Sequence, residues 1–346
     1  MKTYRIAMIG FGNVGQGFAT ILQNHASMLA ETHGVAVQIV AVSTRSKGSV
    51  YHPDGLDLNA LMTAVTDDGN FDRVDALYRD WDALKIIAES NADVIAEISY
   101  TDLKTGEPAY RHIRQALDSG KHVITANKGP TALFYPELLQ SAREKNLSIG
   151  VEGTVLSGTP AVQLGLDLLM GAGITRVQGI LNGTTNYILT QMETGATYKD
   201  ALAEAQAKGY AEADPSGDVD GHDAAGKVVI IGNLLLGLPL TMADVDLEGI
   251  SGITSADIQT AEANGERWKL IGMVEKLDDG FVAQVKPTRL PITHPLAGVS
   301  GATNAITYST ALLGDVTLIG PGAGRIETGY ALIGDLLAIH RQYGAL

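Results

Sequence analysis

The N-terminal segment constrains this chain more than any other stretch. Residues 4–9 form a short apolar run, Gly10-Phe-Gly12-Asn-Val-Gly15 follows without a break, and residues 16–30 read as a helix. Strand, glycine turn and helix in that order match G-x-G-x-x-G in the setting where it has a mechanism. The first glycine permits a tight turn, the second lets backbone approach a pyrophosphate, and the third lets helix and strand pack closely. The helix start adds free N–H groups and a partial positive charge. With 40 glycines in the chain, a chance glycine turn is the competing reading. The N-terminal position and the next strand, residues 35–42, favour a dinucleotide site built from Gly10, Gly12, Asn13, Val14 and Gly15.

The second strand runs out into Ser43-Thr-Arg45-Ser-Lys47. A site for NAD places an acidic residue here, to accept from the ribose 2′-hydroxyl. Hydroxyls with Arg45 and Lys47 suit a 2′-phosphate instead, so NADP(H) is the preferred cofactor and NAD(H) use stays open. A solvated basic loop is the bland alternative.

Further along, strands alternate with helices: strands at 93–98, 121–125 and 147–151, helices at 108–119 and 131–145. That alternation implies βαβ crossovers and a parallel sheet. Residues 46–91 read as polar and irregular, with a helical patch at 82–89. The pattern changes near residue 151. Helices are expected at 160–170, 185–192, 198–208 and 223–236, strands at 175–181, 281–285, 305–310 and 316–319, and a last helix at 326–340. The fold class expected is α/β: an N-terminal Rossmann domain, residues 1–150, with residues 321–346 packing back onto it, and a second α+β catalytic and dimerisation domain, residues 151–320.

Composition excludes several classes. A net charge of −14 argues against nucleic acid, which draws on a basic surface. The chain has no cysteine, which removes disulfides, Cys-ligated zinc, iron–sulfur clusters and thiolate nucleophiles. No apolar stretch is long enough to span a bilayer, and the N-terminus lacks a signal-peptide pattern, so the cytoplasm is the expected compartment.

The richest chemistry lies between Gly209 and Lys227, where Glu212, Asp214, Asp218, Asp220 and Asp223 crowd one loop ahead of an apolar helix. Asp223 and Lys227 stand at i and i+4 on one helix face, and Asp223 sits near that helix's positive end. An i,i+4 pair is most often a surface ion pair of little worth. Here the helix beyond Lys227 has almost no polar face, which points to burial. The loop mimics the start of a calcium site, but its twelfth position is Lys227, where a bidentate glutamate is needed. Tyr100 and Lys104 match Tyr-x-x-x-Lys by chance, since that pair belongs inside a long helix and here follows a strand.

Read in order, the fingerprint, Thr125-Ala-Asn-Lys128, Asn182-Gly-Thr-Thr-Asn186-Tyr-Ile, Gly209-Tyr-Ala-Glu-Ala-Asp-Pro215, Asp223-x-x-x-Lys227 and Gly320-Pro-Gly-Ala-Gly324 resemble homoserine dehydrogenase over essentially the whole chain. The resemblance implies reversible reduction of L-aspartate 4-semialdehyde to L-homoserine with NAD(P)H, in threonine, methionine and isoleucine biosynthesis. It makes Lys227 the general acid/base and Asp223 its orienting partner. Glu212 and Asp218 would hold the substrate ammonium, with Gly183, Thr184 and Tyr210 lining the pocket and Lys128 between nicotinamide and substrate. Ser99, Thr101 and Gly322 would touch the cofactor. Glu152 and the carbonyls of Val155, Ser157 and Thr159 would hold a monovalent cation, Na+ or K+. The family is typically dimeric, so a homodimer through the second domain is expected. Residues 51–80 match nothing in that pattern. The chain ends soon after Gly324, so a short form is expected, without an amino-acid-sensing domain or feedback by threonine through one. The missing thiol independently favours alcohol over acyl phosphate as the aldehyde's partner, because oxidation to the acyl level usually runs through a thiolate.

Overall fold

The computed structural model describes residues 1–344, which fall into two units: Met1–Gly158 with the segment from Gly324 onward, and Thr159–Ala323. The boundaries differ from those read in the sequence. The first unit continues to Gly158 rather than residue 150, and the return point is 324 rather than 321. The reason is local. The 3-10 turn Glu152–Thr154 is buried, and the Glu152 amide donates to Asp335 on the last helix, Arg325–Tyr343.

In the first unit a seven-stranded sheet carries β1 (Lys2–Ile9), β2 (Val35–Thr44), β3 (Gly48–Tyr51), β4 (Tyr78–Arg79), β5 (Val94–Glu97), β6 (His122–Thr125) and β7 (Ile149–Gly150), in the order β4-β3-β2-β1-β5-β6-β7. Strands β2, β1, β5, β6 and β7 are parallel. The central ones are buried on both faces, which is why residues such as Ile6, Met8, Val94 and Ile124 form continuous apolar runs rather than alternating. Between β1 and β5 the chain reverses its direction of travel across the sheet, so a crevice opens at their carboxyl ends.

Helices cover the sheet. Asn13–His33 packs on the last helix so closely that a Cβ at Gly17 would lie 1.9 Å from the Arg325 carbonyl oxygen, and one at Gly329 would lie 2.5 Å from the Phe18 nitrogen. Residues 46–91 hold the expected helix, Ala83–Glu89, and more regular structure than the sequence showed. Strands β3 and β4 add antiparallel to the sheet's edge, held by a Ser43–Ser49 hydroxyl pair at 2.9 Å and by the stacked rings of Tyr51 and Tyr78. Strands this short show no period for a sequence reading to find.

The second unit's six-stranded sheet comprises β8 (Ile174–Ile180), β9 (Asp246–Leu247), β10 (Glu266–Leu277), β11 (Gly280–Pro291), β12 (Thr303–Thr310) and β13 (Gly314–Pro321), in the order β13-β12-β8-β10-β11-β9. All its pairings are antiparallel except β11 with β9. Strand β10 escaped the sequence reading because its middle is buried on both faces and gives no alternation. The helix Ser255–Ala263 was also missed, although its capping box, Thr254 with Asp257, is a readable start signal. Residues 160–170, expected as one helix, form a single α-turn (Ala161–Gln163), a π-turn (Leu164–Leu169) and a 3-10 turn (Met170–Ala172). Gly165 and Gly171 weaken that stretch as a regular helix.

The helix His222–Leu235 lies on this sheet with residues Ala224–Gly232 all buried. A Cβ at Gly272 of β10 would come within 2.9 Å of a Val228 methyl. Each large aliphatic side chain buried on this helix contributes roughly 1.5–3 kcal/mol, which outweighs the cost of holding one lysine under the surface at its start. No helix of the described residues is long and apolar enough to cross a membrane.

Candidate active site

In the first unit, the carboxyl ends of the parallel strands carry the expected dinucleotide residues. Gly10 has φ 111°, and a Cβ there would lie 2.3 Å from the Ile98 carbonyl oxygen, so only glycine fits this turn. Gly15 is tight as well, with the Ile98 side chain 3.1 Å from where its Cβ would be. Gly12 is the opposite case: nothing lies within 4 Å, and it and Asn13 are exposed. The helix Asn13–His33 begins at Gly12 with no side-chain cap. Its first N–H groups, Val14 included, are therefore open to an outside acceptor, which fits a diphosphate.

Arg45 is exposed in the tight turn that joins β2 to β3, and Lys47 is half-buried there, its amide donating to Thr44 Oγ1 at 2.9 Å. The turn therefore has a defined shape. Ser99 and Thr101 follow β5. Lys128 opens the helix Lys128–Glu144, whose cap is Asn127: its Oδ1 accepts from the Gly129 amide, and its Nδ2 donates to the carbonyls of Ser99 and Tyr100 at 3.3 and 3.0 Å. Tyr100 is exposed, and Lys104 lies in a turn, so the pair lacks the helical setting that Tyr-x-x-x-Lys needs.

In the second unit the structure brings Lys227, Asp223 and Asp218 together. Lys227 is 6% exposed, and its Nζ donates to the Leu181 carbonyl at 2.6 Å and to Asp223 Oδ2 at 2.8 Å. An ammonium has three donors, so one N–H remains uncommitted among the described residues. The organiser is Asn182, a residue whose role the sequence reading missed. Its Oδ1 caps the helix Gly183–Glu193 through the Thr185 amide, while its Nδ2 donates to Asp218 Oδ1 at 2.7 Å and Asp223 Oδ2 at 3.1 Å. A readable trace existed: Asn before Gly-Thr-Thr is a strong N-cap pattern. Its bonds to two carboxylates far along the chain left no trace.

Asp218 is drawn above the usual carboxylate range. Burial is the main cause, the bond from Asn182 opposes it, and the neighbouring Asp223 charge adds to it. The acidic segment is not all loop, since Ser216–Val219 is a helical turn. Thr184 Oγ1 donates to the Tyr210 carbonyl at 2.6 Å, and the Tyr210 ring packs on Tyr187. Glu212 is exposed, and its carboxylate bonds to none of these groups. Gly183 packs against the Ala302 carbonyl, where a Cβ would come within 2.6 Å. Gly322 belongs to this unit. Its α-carbon faces Asn304, a fully buried amide with no hydrogen-bond partner among the described residues, which sequence reading also missed.

The expected cation ligands divide between the units: Glu152, Val155 and Ser157 in the first, Thr159 in the second. Glu152 is buried, and the turn after Val155 places Leu156 and Ser157 at φ 51° and 56°. A carboxylate with backbone carbonyls is the oxygen-rich donor set that hard cations prefer. Among the described residues, no three His, Cys, Asp or Glu side chains group as a metal site.

Comparison with known proteins matches both units. Residues 10–152 fit the family described as "Homoserine dehydrogenase, NAD binding domain", and residues 160–337 the one described as "Homoserine dehydrogenase". The chain is 43% identical to an NAD(+)-dependent homoserine dehydrogenase of Pseudomonas canavaninivorans, covering 99% of this chain and 97% of that one. It is 38% identical to a homoserine dehydrogenase of Methanocaldococcus jannaschii, over 97% and 98%. Among solved structures, a hyperthermophilic archaeal homoserine dehydrogenase mutant in complex with NADPH superposes with a TM-score of 0.83 at 29% identity, covering 99% of each chain.

Proposed function

This chain belongs to the homoserine dehydrogenase family, and from that premise we propose that it interconverts L-aspartate 4-semialdehyde and L-homoserine with NAD(P)(H), in the biosynthesis of threonine, methionine and isoleucine. The observation that carries the chemistry is the buried Lys227 ammonium, held by Leu181 and Asp223 with one N–H left over. Reducing an aldehyde to an alcohol needs a hydride at carbon and a proton at oxygen. When bound, the nicotinamide supplies or takes the hydride. The protein supplies the proton: Lys227 gives it to the C4 oxygen in one direction and takes it back in the other.

Asp223 and the Leu181 carbonyl aim Lys227, and Asn182 fixes Asp223. Asp218, steadied by the same amide, takes the substrate's ammonium end, and the exposed Glu212 is its second partner there. The backbone at Gly183 and Thr184, with Tyr210, lines the pocket. The glycine turn holds the cofactor's diphosphate, with Ser99, Thr101, Lys128 and Gly322 contributing further contacts.

NADP(H) is the preferred cofactor on the strength of Arg45 and Lys47. The relatives support either choice, since one is named NAD(+)-dependent and another is solved with NADPH. Glu152 and the carbonyls of Val155, Ser157 and Thr159 hold a monovalent cation. A homodimer through the second unit is supported by the open edge of β13 and by exposed Leu312, Leu313 and Ile319 nearby. The test is the absorbance at 340 nm with L-homoserine and each oxidised cofactor in turn. Turnover with homoserine, fastest with NADP, is expected. No reduced cofactor formed with either would refute the reading.

A further inference from the structure

The last residue of β5, Glu97, has no solvent exposure. One carboxylate oxygen, Oε1, accepts from the Ser99 hydroxyl and from His112 Nδ1 at 3.2 Å, and the other has no partner among the described residues. A carboxylate withdrawn so fully from water is costly to fold around. An aliphatic side chain there would fill the space without that cost, so the carboxylate's bonds are where its role lies.

Those bonds converge on the loop that carries the proposed cofactor contacts. Glu97 ties the hydroxyl of Ser99, two residues on, back to the strand end. Its own carbonyl accepts from Thr125 Oγ1 at 2.6 Å, and Thr125 Oγ1 in turn accepts from the Asn127 amide at 2.9 Å. Asn127 then grips the Ser99 and Tyr100 carbonyls and caps the helix that starts at Lys128. On the other side, the Ile98 amide donates to the Ile9 carbonyl at 2.9 Å, and the Ile98 carbonyl is the wall against which Gly10 must stay glycine. His112, from the helix Ala109–Asp118, braces the carboxylate from behind.

We propose that Glu97 is a positioning residue for the dinucleotide, one that fixes the Ser99 hydroxyl as a hydrogen-bond acceptor toward the cofactor. With its single proton committed to Glu97, the Ser99 oxygen keeps only lone pairs to offer. It therefore recognises a donor on the cofactor, a ribose hydroxyl or a carboxamide N–H, and not a phosphate oxygen. This rests on the reading that the first unit holds NAD(P).

The test is a double-mutant cycle read by the fluorescence of bound NADH or NADPH, with the homoserine KM measured alongside. Glu97→Leu is expected to weaken reduced-cofactor binding by about tenfold, Ser99→Ala by about threefold to tenfold, and the double variant by no more than Glu97→Leu alone. Glu97→Gln keeps an acceptor but loses the charge, and should fall between parent and Leu. The homoserine KM at saturating cofactor should stay within about twofold. If Glu97→Leu does not fold, Glu97→Gln with Ser99→Ala completes the same cycle. Cofactor affinity unchanged in the Glu97 variants, or effects that multiply in the double variant, would overturn the proposal. A parent protein that binds no reduced cofactor would instead sink the reading beneath it.

Discussion

Replacing Lys227 by methionine isolates the proton that the mechanism requires. Methionine keeps most of the aliphatic stem that packs in the helix His222–Leu235, so the perturbation is the loss of one ammonium. Two consequences can be sized. For stability, the Leu181 carbonyl loses its 2.6 Å donor and Asp223 loses its 2.8 Å cation. A buried acceptor left bare costs about 1–3 kcal/mol. Asp223 is 24% exposed and keeps its bond from Asn182, so water offsets most of its share. A total near 2 kcal/mol lowers Tm by roughly 4–8 °C for a protein built of units this size, which leaves the variant folded at room temperature. For catalysis, removing a general acid/base costs about 10²–10⁴ in rate, or about 3–5 kcal/mol of transition-state stabilisation. Lys227 and the glycine turn lie in different units, so cofactor affinity should stay within about twofold of the parent. The assay is kcat at 340 nm with saturating homoserine and cofactor, beside a fluorescence titration with the reduced cofactor. A kcat within about tenfold of the parent, in a variant shown to be folded, would refute the assignment and move the proton transfer to Lys128.

Other expectations concern the surrounding residues. Glu212→Leu should raise the homoserine KM by about an order of magnitude or more with a smaller change in kcat, because its exposed carboxylate has no hydrogen-bond or ion-pair partner among the described residues to lose; an unchanged KM removes it from the substrate site. Arg45→Ala should weaken NADP more than NAD by about tenfold, a gap that closes if the β2–β3 turn is only solvated surface. Asp218→Asn should raise Tm at pH 8 while impairing homoserine binding. Burial holds the Asp218 carboxyl above its unfolded range, so the parent folds with a penalty at high pH that is relieved as pH falls through the folded-state value. The variant's advantage should accordingly shrink toward pH 4, and a constant difference across that range would contradict the sign.

The parts of this protein that could be read in the chain are those decided within a turn or two of backbone. Gly10-Phe-Gly12-Asn-Val-Gly15 declares a strand-turn-helix because the turn is local: Gly10 takes a φ of 111° that favours glycine, and the helix begins directly after Gly12. Asp223 and Lys227 declare a shared face because a helix repeats every 3.6 residues, and the apolar run after them declares burial. Strands β3 and β4 are too short to carry a period, and β10, packed on both faces, has none, so the mixed edge of the first sheet and one of the two central strands of the second were invisible. The working details of both sites belong to the same class. Asn182 joins Asp218 and Asp223 across 36 and 41 residues, Leu181 meets Lys227 across 46, and His112 reaches Glu97 across 15. Such bonds exist because strand order and helix packing deliver distant residues to one place. A side chain's type says what it can donate or accept, but its partner is chosen by the burial that leaves it no water to bond instead.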